Sequence, residues 1–141
     1  MEKVPLRRRT ARKHAFLILY QSDAAEKPLG ETVARWREYR GELDDYAAKL
    51  VWGVEKERSS LDGILSEVSE GWPVHRMSAV DRSILRLALF EMIHSDDVPP
   101  EVAVGEAVEL ATGFSGDEAP GFVAGVLRGA ENRVFGGVKH G

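Results

Sequence analysis

Apolar residues recur along the chain at intervals of three and four, and Gly or Pro interrupts this pattern at five places. The interruptions are Pro28 with Gly30, Gly41, Gly71 with Pro73, Pro99 with Pro100, and Gly113 with Gly116. Because no sustained alternation of period two lies between them, the pattern predicts helices and no strands. The predicted helices cover about residues 6–25, 31–40, 45–68, 80–94, 100–112 and 118–134.

The segment at residues 80–94 is apolar on nearly every side, which predicts a central, buried helix. Before it, Gly71, Trp72 and Pro73 divide the chain near its midpoint. A length of 141 residues is typical of one domain. We therefore expect a single domain of residues 1–141, with helical halves at about 1–70 and 71–141.

Two sets of glycines bear on how the helices pack. Gly53 and Gly63 lie inside the third predicted helix, which we expect to kink or split there. Gly121, Gly125 and Gly129 fall four apart, on one face of the last helix. That face predicts close approach by a second helix.

Charge is distributed unevenly along the chain. The net charge is −4, yet residues 1–13 contain six cations and one acid, while residues 87–127 contain eight acids and no Lys or Arg. The basic end predicts a polyanionic partner, and the acidic stretch could attract a basic protein. The sequence shows no cysteine, signal peptide or membrane-length apolar segment, which fits a reducing cytoplasm.

The strongest candidate for chemistry is the basic cluster in the first helix. It consists of Arg7, Arg8, Arg9, Arg12 and Lys13. Five cations within two helical turns can neutralise phosphates, and arginine also stacks on bases. Arg8 and Arg12 continue into an apolar row of this helix, which would anchor the cluster on the core. The alternative is a solvated helix end without a ligand.

A second candidate is the turn that leads into the last helix. Phe114 and Phe122 could stack single-stranded bases, and Asp117 and Glu118 could accept hydrogen bonds from base amino groups. Alternatively, both rings belong to the core and the acids stabilise a helix N-terminus.

Motifs for catalysis are missing from the sequence. The four histidines, His14, His75, His94 and His140, are scattered and have no zinc-ligand spacing. Neither a nucleophile elbow nor a phosphate-binding glycine loop is present. The sequence therefore predicts a protein without enzymatic activity, metal or cofactor.

Four motifs in order resemble one known family. They are R-R-R-T-A-R-x-x-A-F-x-x-L-Y-Q-S-D at residues 7–23, D-R-S-I-L-R-L-A-L-F-E-M at 81–92, V-P-P-E-V-A-V-G-E-A-V-E-L-A at 98–111, and G-F-V-A-G-V-L at 121–127. Together they resemble the NusB family of transcription antitermination factors, across almost the whole chain.

The resemblance implies an all-α fold of about seven helices in two small packed bundles. It implies binding to the single-stranded boxA element of ribosomal RNA transcripts, together with the ribosomal protein NusE, in an antitermination complex with RNA polymerase. Some members form homodimers that cover the RNA site. The resemblance assigns RNA contacts to Arg7, Arg8, Arg9, Arg12, Phe114, Asp117, Glu118 and Phe122. For the NusE surface it points to Arg76, Asp81 and Glu91.

The chain departs from the family pattern near the expected RNA edge. Gly105 and Ala124 stand where the family often has Asn, and Thr112 and Gly121 stand where Lys is common. One alternative is therefore a protein-interaction adaptor that has lost RNA binding. Another is an accessory domain related to RNA cytosine methyltransferases, although 141 residues leave no room for a Rossmann-like catalytic domain.

Overall fold

A computed structural model describes the backbone of residues 6–139 and the side chains of residues 7–136. It consists of six α-helices and one short 3-10 helix, with no strand in the described part of the chain. The α-helices are α1 (Leu6–Ala25), α2 (Leu29–Arg40), α3 (Asp45–Val68), α4 (Ala79–His94), α5 (Pro100–Phe114) and α6 (Ala119–Lys139). The 3-10 helix covers Val74–Arg76, between α3 and α4. The predicted all-α class is confirmed.

Polar side chains and proline fix where the helices begin. Asp44 caps α3, since its carboxylate accepts a hydrogen bond of 2.8 Å from the backbone N–H of Tyr46. Ser78 caps α4 in the same way, through the N–H of Asp81 at 3.0 Å. Pro100 opens α5, where a missing N–H has no cost. The predicted boundaries are close to those observed, but α3 continues unbroken through both glycines.

Helix α4 is the centre of the molecule. Every residue from Ser83 to Met92 is buried, and the helix packs against α1, α3, α5 and α6. The buried apolar side chains form one cluster drawn from both halves of the chain. The prediction of a central buried helix is confirmed.

Two arginines of α4 fasten it to its neighbours near its N-terminal end. Arg82 Nε donates to Asp23 of α1 at 2.8 Å, and its Nη1 donates to the carbonyl of Met77 at 2.8 Å. Arg86 forms a bidentate pair with Asp62 of α3, at 2.7 and 2.8 Å. These pairs satisfy the two positive charges that α4 brings towards the interior.

The glycine face predicted for α6 packs closely at one position. A Cβ atom at Gly129 would lie 3.3 Å from Cβ of Val68 in α3, whereas Gly121 and Gly125 face open space. The prediction is thus wrong for Gly121 and Gly125, because α3 approaches this face at Gly129 alone among the three. A closer approach, not predicted, occurs at Gly53, where a Cβ would overlap the ring of Phe90.

No helix within residues 6–139 combines the length and the apolar character that crossing a bilayer requires.

The contact at Gly53 predicts opposite effects for two equivalent substitutions in α3. Gly53→Ala should lower the free energy of unfolding by about 1–3 kcal/mol, because the methyl group overlaps the Phe90 ring. Gly63→Ala, in open space on the same helix, should raise it by up to about 1 kcal/mol. Urea unfolding measures both, and equal stabilisation by the two alanines would contradict the close contact.

Candidate nucleic-acid interface

The cations of the basic cluster differ widely in exposure. The side chain of Arg7 is 81% exposed, that of Arg9 52% and that of Arg8 31%, whereas that of Arg12 is 4% exposed. Lys13 is exposed. Four of the five predicted cations therefore reach the surface from the N-terminal half of α1, and the fifth points inward.

Arg12 belongs to a buried ion network. Its Nε lies 2.8 Å from both carboxylate oxygens of Glu91, whose side chain is 1% exposed. Its Nη1 lies 3.5 Å from Glu106 on α5. Burial acts to lower the pKa of Arg12, but the hydrogen bonds to Glu91 together with the negative charges around the guanidinium outweigh it and raise the pKa. Arg12 is a charged core residue.

Two of the predicted contact residues are buried in this network. Arg12 was expected to touch RNA and Glu91 to touch NusE, but each is buried against the other. The apolar row that anchors α1 carries Arg12 inward, and Glu91 lies within the buried run of α4. Neither side chain presents a surface to a partner.

Tyr46 joins this network to the surface, and nothing in the sequence pattern singled it out. The Tyr46 hydroxyl donates to Glu91, and the Arg8 guanidinium lies over the Tyr46 ring, 3.9 Å from the centroid. Burial and the hydrogen bond to Glu91 raise the pKa of Tyr46 to about 12, so the hydroxyl stays protonated at neutral pH. Its ring therefore lies between a buried carboxylate and a partly exposed arginine.

Each surface arginine of the basic cluster donates to a carboxylate from another part of the fold. The pairs are Arg7 with Asp44, Arg8 with Asp97 and Arg9 with Glu106, at shortest N–O distances of 3.0, 2.9 and 2.8 Å. The hydrogen bonds from arginine lower the pKa values of Asp44 and Asp97. The Arg7 and Arg8 pairs are exposed and therefore weak, whereas the Glu106 side chain is only 8% exposed. A phosphate could therefore replace Asp44 or Asp97.

The aromatic turn lies on the same edge as the exposed cations. Phe114 is 42% exposed and its ring contacts Phe16 of α1 at 5.1 Å between centroids. Glu106, which holds Arg9, and Phe114 are both on α5, about 12 Å apart along the helix. The structure thus brings the two predicted halves of the RNA site together on α1 and α5.

Behind Phe114 lies an open groove of about 590 Å³. The half-buried Phe122 lines it, together with Asp117, Glu118 and the exposed Trp72. This arrangement offers rings and carboxylate acceptors side by side. A base could lie there with its amino group hydrogen-bonded.

Arg76 and Asp81, the other residues expected to bind NusE, lie at the N-terminal side of α4. Arg76 is exposed in the 3-10 helix, and no ion pair involves it among the described side chains. Asp81 lines the groove and accepts a hydrogen bond of 2.8 Å from the Ser115 hydroxyl. Asp81 is therefore next to the aromatic turn, about 15 Å along α4 from Glu91.

The family departures lie at the surface. Gly105, Thr112 and Gly121 are exposed, and Ala124 is half-buried. The Thr112 hydroxyl donates to the carbonyl of Val108 in its own helix, at 2.9 Å. Within the described residues, no three side chains of His, Cys, Asp or Glu are grouped to hold a metal ion. His140 lies outside these residues.

The buried network predicts a large effect of a nearly isosteric substitution. Glu91→Gln should lower the free energy of unfolding by about 3 kcal/mol, because Arg12 would keep a buried charge without its closest partner. Glu109→Gln, an exposed change of the same chemistry, should have an effect within about 0.5 kcal/mol. Denaturant unfolding at pH 7 compares the two, and equal stabilities would show that the buried pair is not needed.

Comparison with known proteins is consistent with this fold. The model of the NusB family matches residues 9–132. The transcription antitermination protein NusB of Rubrobacter xylanophilus is 69% identical over 134 residues, which cover 95% of this chain and 96% of that protein. NusB of T. maritima superposes with a TM-score of 0.79 at 30% identity, covering 92% of this chain and 93% of that one. A chain from the crystal structure of antitermination factors NusB and NusE in complex with dsRNA superposes with a TM-score of 0.80 at 28% identity. The match covers 92% of this chain and 99% of that one.

Proposed function

The chain belongs to the NusB family, and from this premise we propose that it is a transcription antitermination factor that binds boxA RNA together with NusE. The observation that carries the proposal is the shared edge of α1 and α5. There α1 exposes Arg7 and Arg9, and α5 exposes the ring of Phe114, which packs on Phe16 of α1. Phosphates and unstacked bases need these two kinds of group.

RNA binding proceeds by exchange of ion pairs. Arg7 exchanges Asp44 for a phosphate, Arg9 reaches a phosphate with its exposed side, and the exposed Lys13 adds a further charge. Phe114 stacks on a base. The groove formed with Phe122, Asp117 and Glu118 accepts hydrogen bonds from a neighbouring base.

NusE binds the acidic face of the same molecule. Helix α5 and the preceding loop expose several carboxylates, among them Asp96, Glu101 and Glu109. Such a face attracts a basic ribosomal protein and orients it. Arg76 and Asp81 remain candidates for this contact, since both are accessible at the end of α4.

The protein acts stoichiometrically, as a cytoplasmic subunit of the antitermination complex with RNA polymerase. Binding, and no covalent step, is its contribution. The family membership and the lack of catalytic motifs in the sequence support this view. No cofactor is needed for it.

Salt dependence tests the RNA contacts. For a boxA-like RNA, log affinity should fall with log salt with a slope of about −0.7 per neutralised phosphate. The double variant Arg7→Ala/Arg9→Ala should weaken binding and reduce the slope by about 1.4, because two phosphate contacts are lost. Filter binding or fluorescence anisotropy at several salt concentrations measures both quantities.

The control is Arg58→Ala/Arg133→Ala, which also removes two exposed, ion-paired arginines. Those residues lie on α3 and α6, and we expect nearly unchanged binding. Equal losses in the two double variants would mean that the whole surface charge, and not this edge, attracts RNA.

Titration with NusE separates this function from that of an adaptor without RNA binding. The proposed joint binding implies positive coupling, so NusE should bind more tightly when boxA RNA is present, and by reciprocal linkage the RNA should bind more tightly when NusE is present. NusE binding that is unchanged by RNA, with no RNA binding by the protein alone, would favour the adaptor. The substitutions at Gly121 and Ala124 are the features that favour it.

A further inference from the structure

Arg8 is held differently from the arginines on either side of it. Its guanidinium lies 3.9 Å above the centroid of the Tyr46 ring, and its Nη2 donates to Asp97 at 2.9 Å. Its side chain is nevertheless 31% exposed. The Tyr46 ring therefore holds one face of the guanidinium and Asp97 holds one edge, while part of the group faces solvent.

The Tyr46 ring is itself fixed from the interior. Its hydroxyl donates to Glu91, and Glu91 is bound by Arg12 through both carboxylate oxygens at 2.8 Å. Moving the ring would break the hydroxyl contact to a carboxylate that is 1% exposed. A buried charge pair thus determines where the Arg8 guanidinium lies.

We propose that Tyr46 is a positioning residue of the RNA site, whose ring presents the Arg8 guanidinium as a flat, ordered face for an unstacked RNA base. The inference rests on the proposed RNA-binding function and adds a residue to it. A planar guanidinium can stack on a ring on each side, so the base, Arg8 and Tyr46 form three layers.

Ordering Arg8 before binding reduces the entropy lost when RNA binds. Arg12 then supports RNA binding without touching RNA, through Glu91 and Tyr46. Lys49 lies 5.6 Å from the same ring, but its ammonium has no flat face to offer a base. Arg8 is therefore the cation of this pair that can stack.

A double-mutant cycle between Tyr46 and Arg8 tests the proposal with the full chain and a boxA-like RNA. The variants are Tyr46→Leu, Arg8→Ala and the two combined. Tyr39→Leu, which removes a tyrosine that is 76% exposed on α2, is the matched control. Affinity and salt slope are measured for each, and circular dichroism verifies folding.

Tyr46→Leu should weaken RNA binding about two- to fivefold, the size of one exposed cation–π contact. The salt slope should stay the same, because no charge is removed. In the Arg8→Ala background the same substitution should have no further effect, and Tyr39→Leu should bind as the wild type does. If Tyr46→Leu does not fold, Arg8→Lys decides, since it keeps the charge and loses the flat face. It should show the same loss at the same slope.

Three results would overturn the proposal. They are wild-type affinity in Tyr46→Leu, an equal loss when Arg8 is already alanine, and wild-type affinity in Arg8→Lys. Failure of the wild-type protein to bind the RNA would instead refute the proposed function, and this inference with it.

Discussion

The buried pair of Arg12 and Glu91 constrains the rest of the structure. Either charge alone in the interior would be costly, so α1 and α4 must meet where the two side chains can pair. Tyr46 brings α3 to the same point, and Glu106 brings α5. Four helices therefore converge on one charge pair, and their relative positions at this end of the molecule follow from it.

The surface of the site depends on the same pair. Tyr46 contacts Arg8, and Glu106 contacts Arg9. A single side chain therefore connects each of these arginines with the buried pair. Long basic side chains at the start of a helix would ordinarily sample many conformations. Here the buried pair and its neighbours Tyr46 and Glu106 determine which cations of α1 face outward and where they lie.

The sequence predicted the helices and the central position of α4, because periodicity and capping are local properties. It could not predict the burial of Arg12, because an arginine that continues an apolar row can be either buried with a partner or exposed to solvent. The deciding partner, Glu91, lies 79 residues away. The close approach at Gly53 was missed for a similar reason, because it depends on the Phe90 ring in another helix. Of the site, the sequence named Arg9 and Phe114 as candidates, and both side chains are exposed in the structure.

Each surface arginine of the basic cluster already has a carboxylate partner. The electrostatic free energy gained on binding RNA is therefore the difference between an arginine–phosphate pair and an arginine–carboxylate pair. Such differences are small for exposed groups, and salt screens them. Charge can therefore bring RNA to this edge but discriminates poorly between one polyanion and another. Discrimination must come from groups whose contacts depend on shape, namely the ring of Phe114 and the flat guanidinium of Arg8, which are both held in place from within the fold.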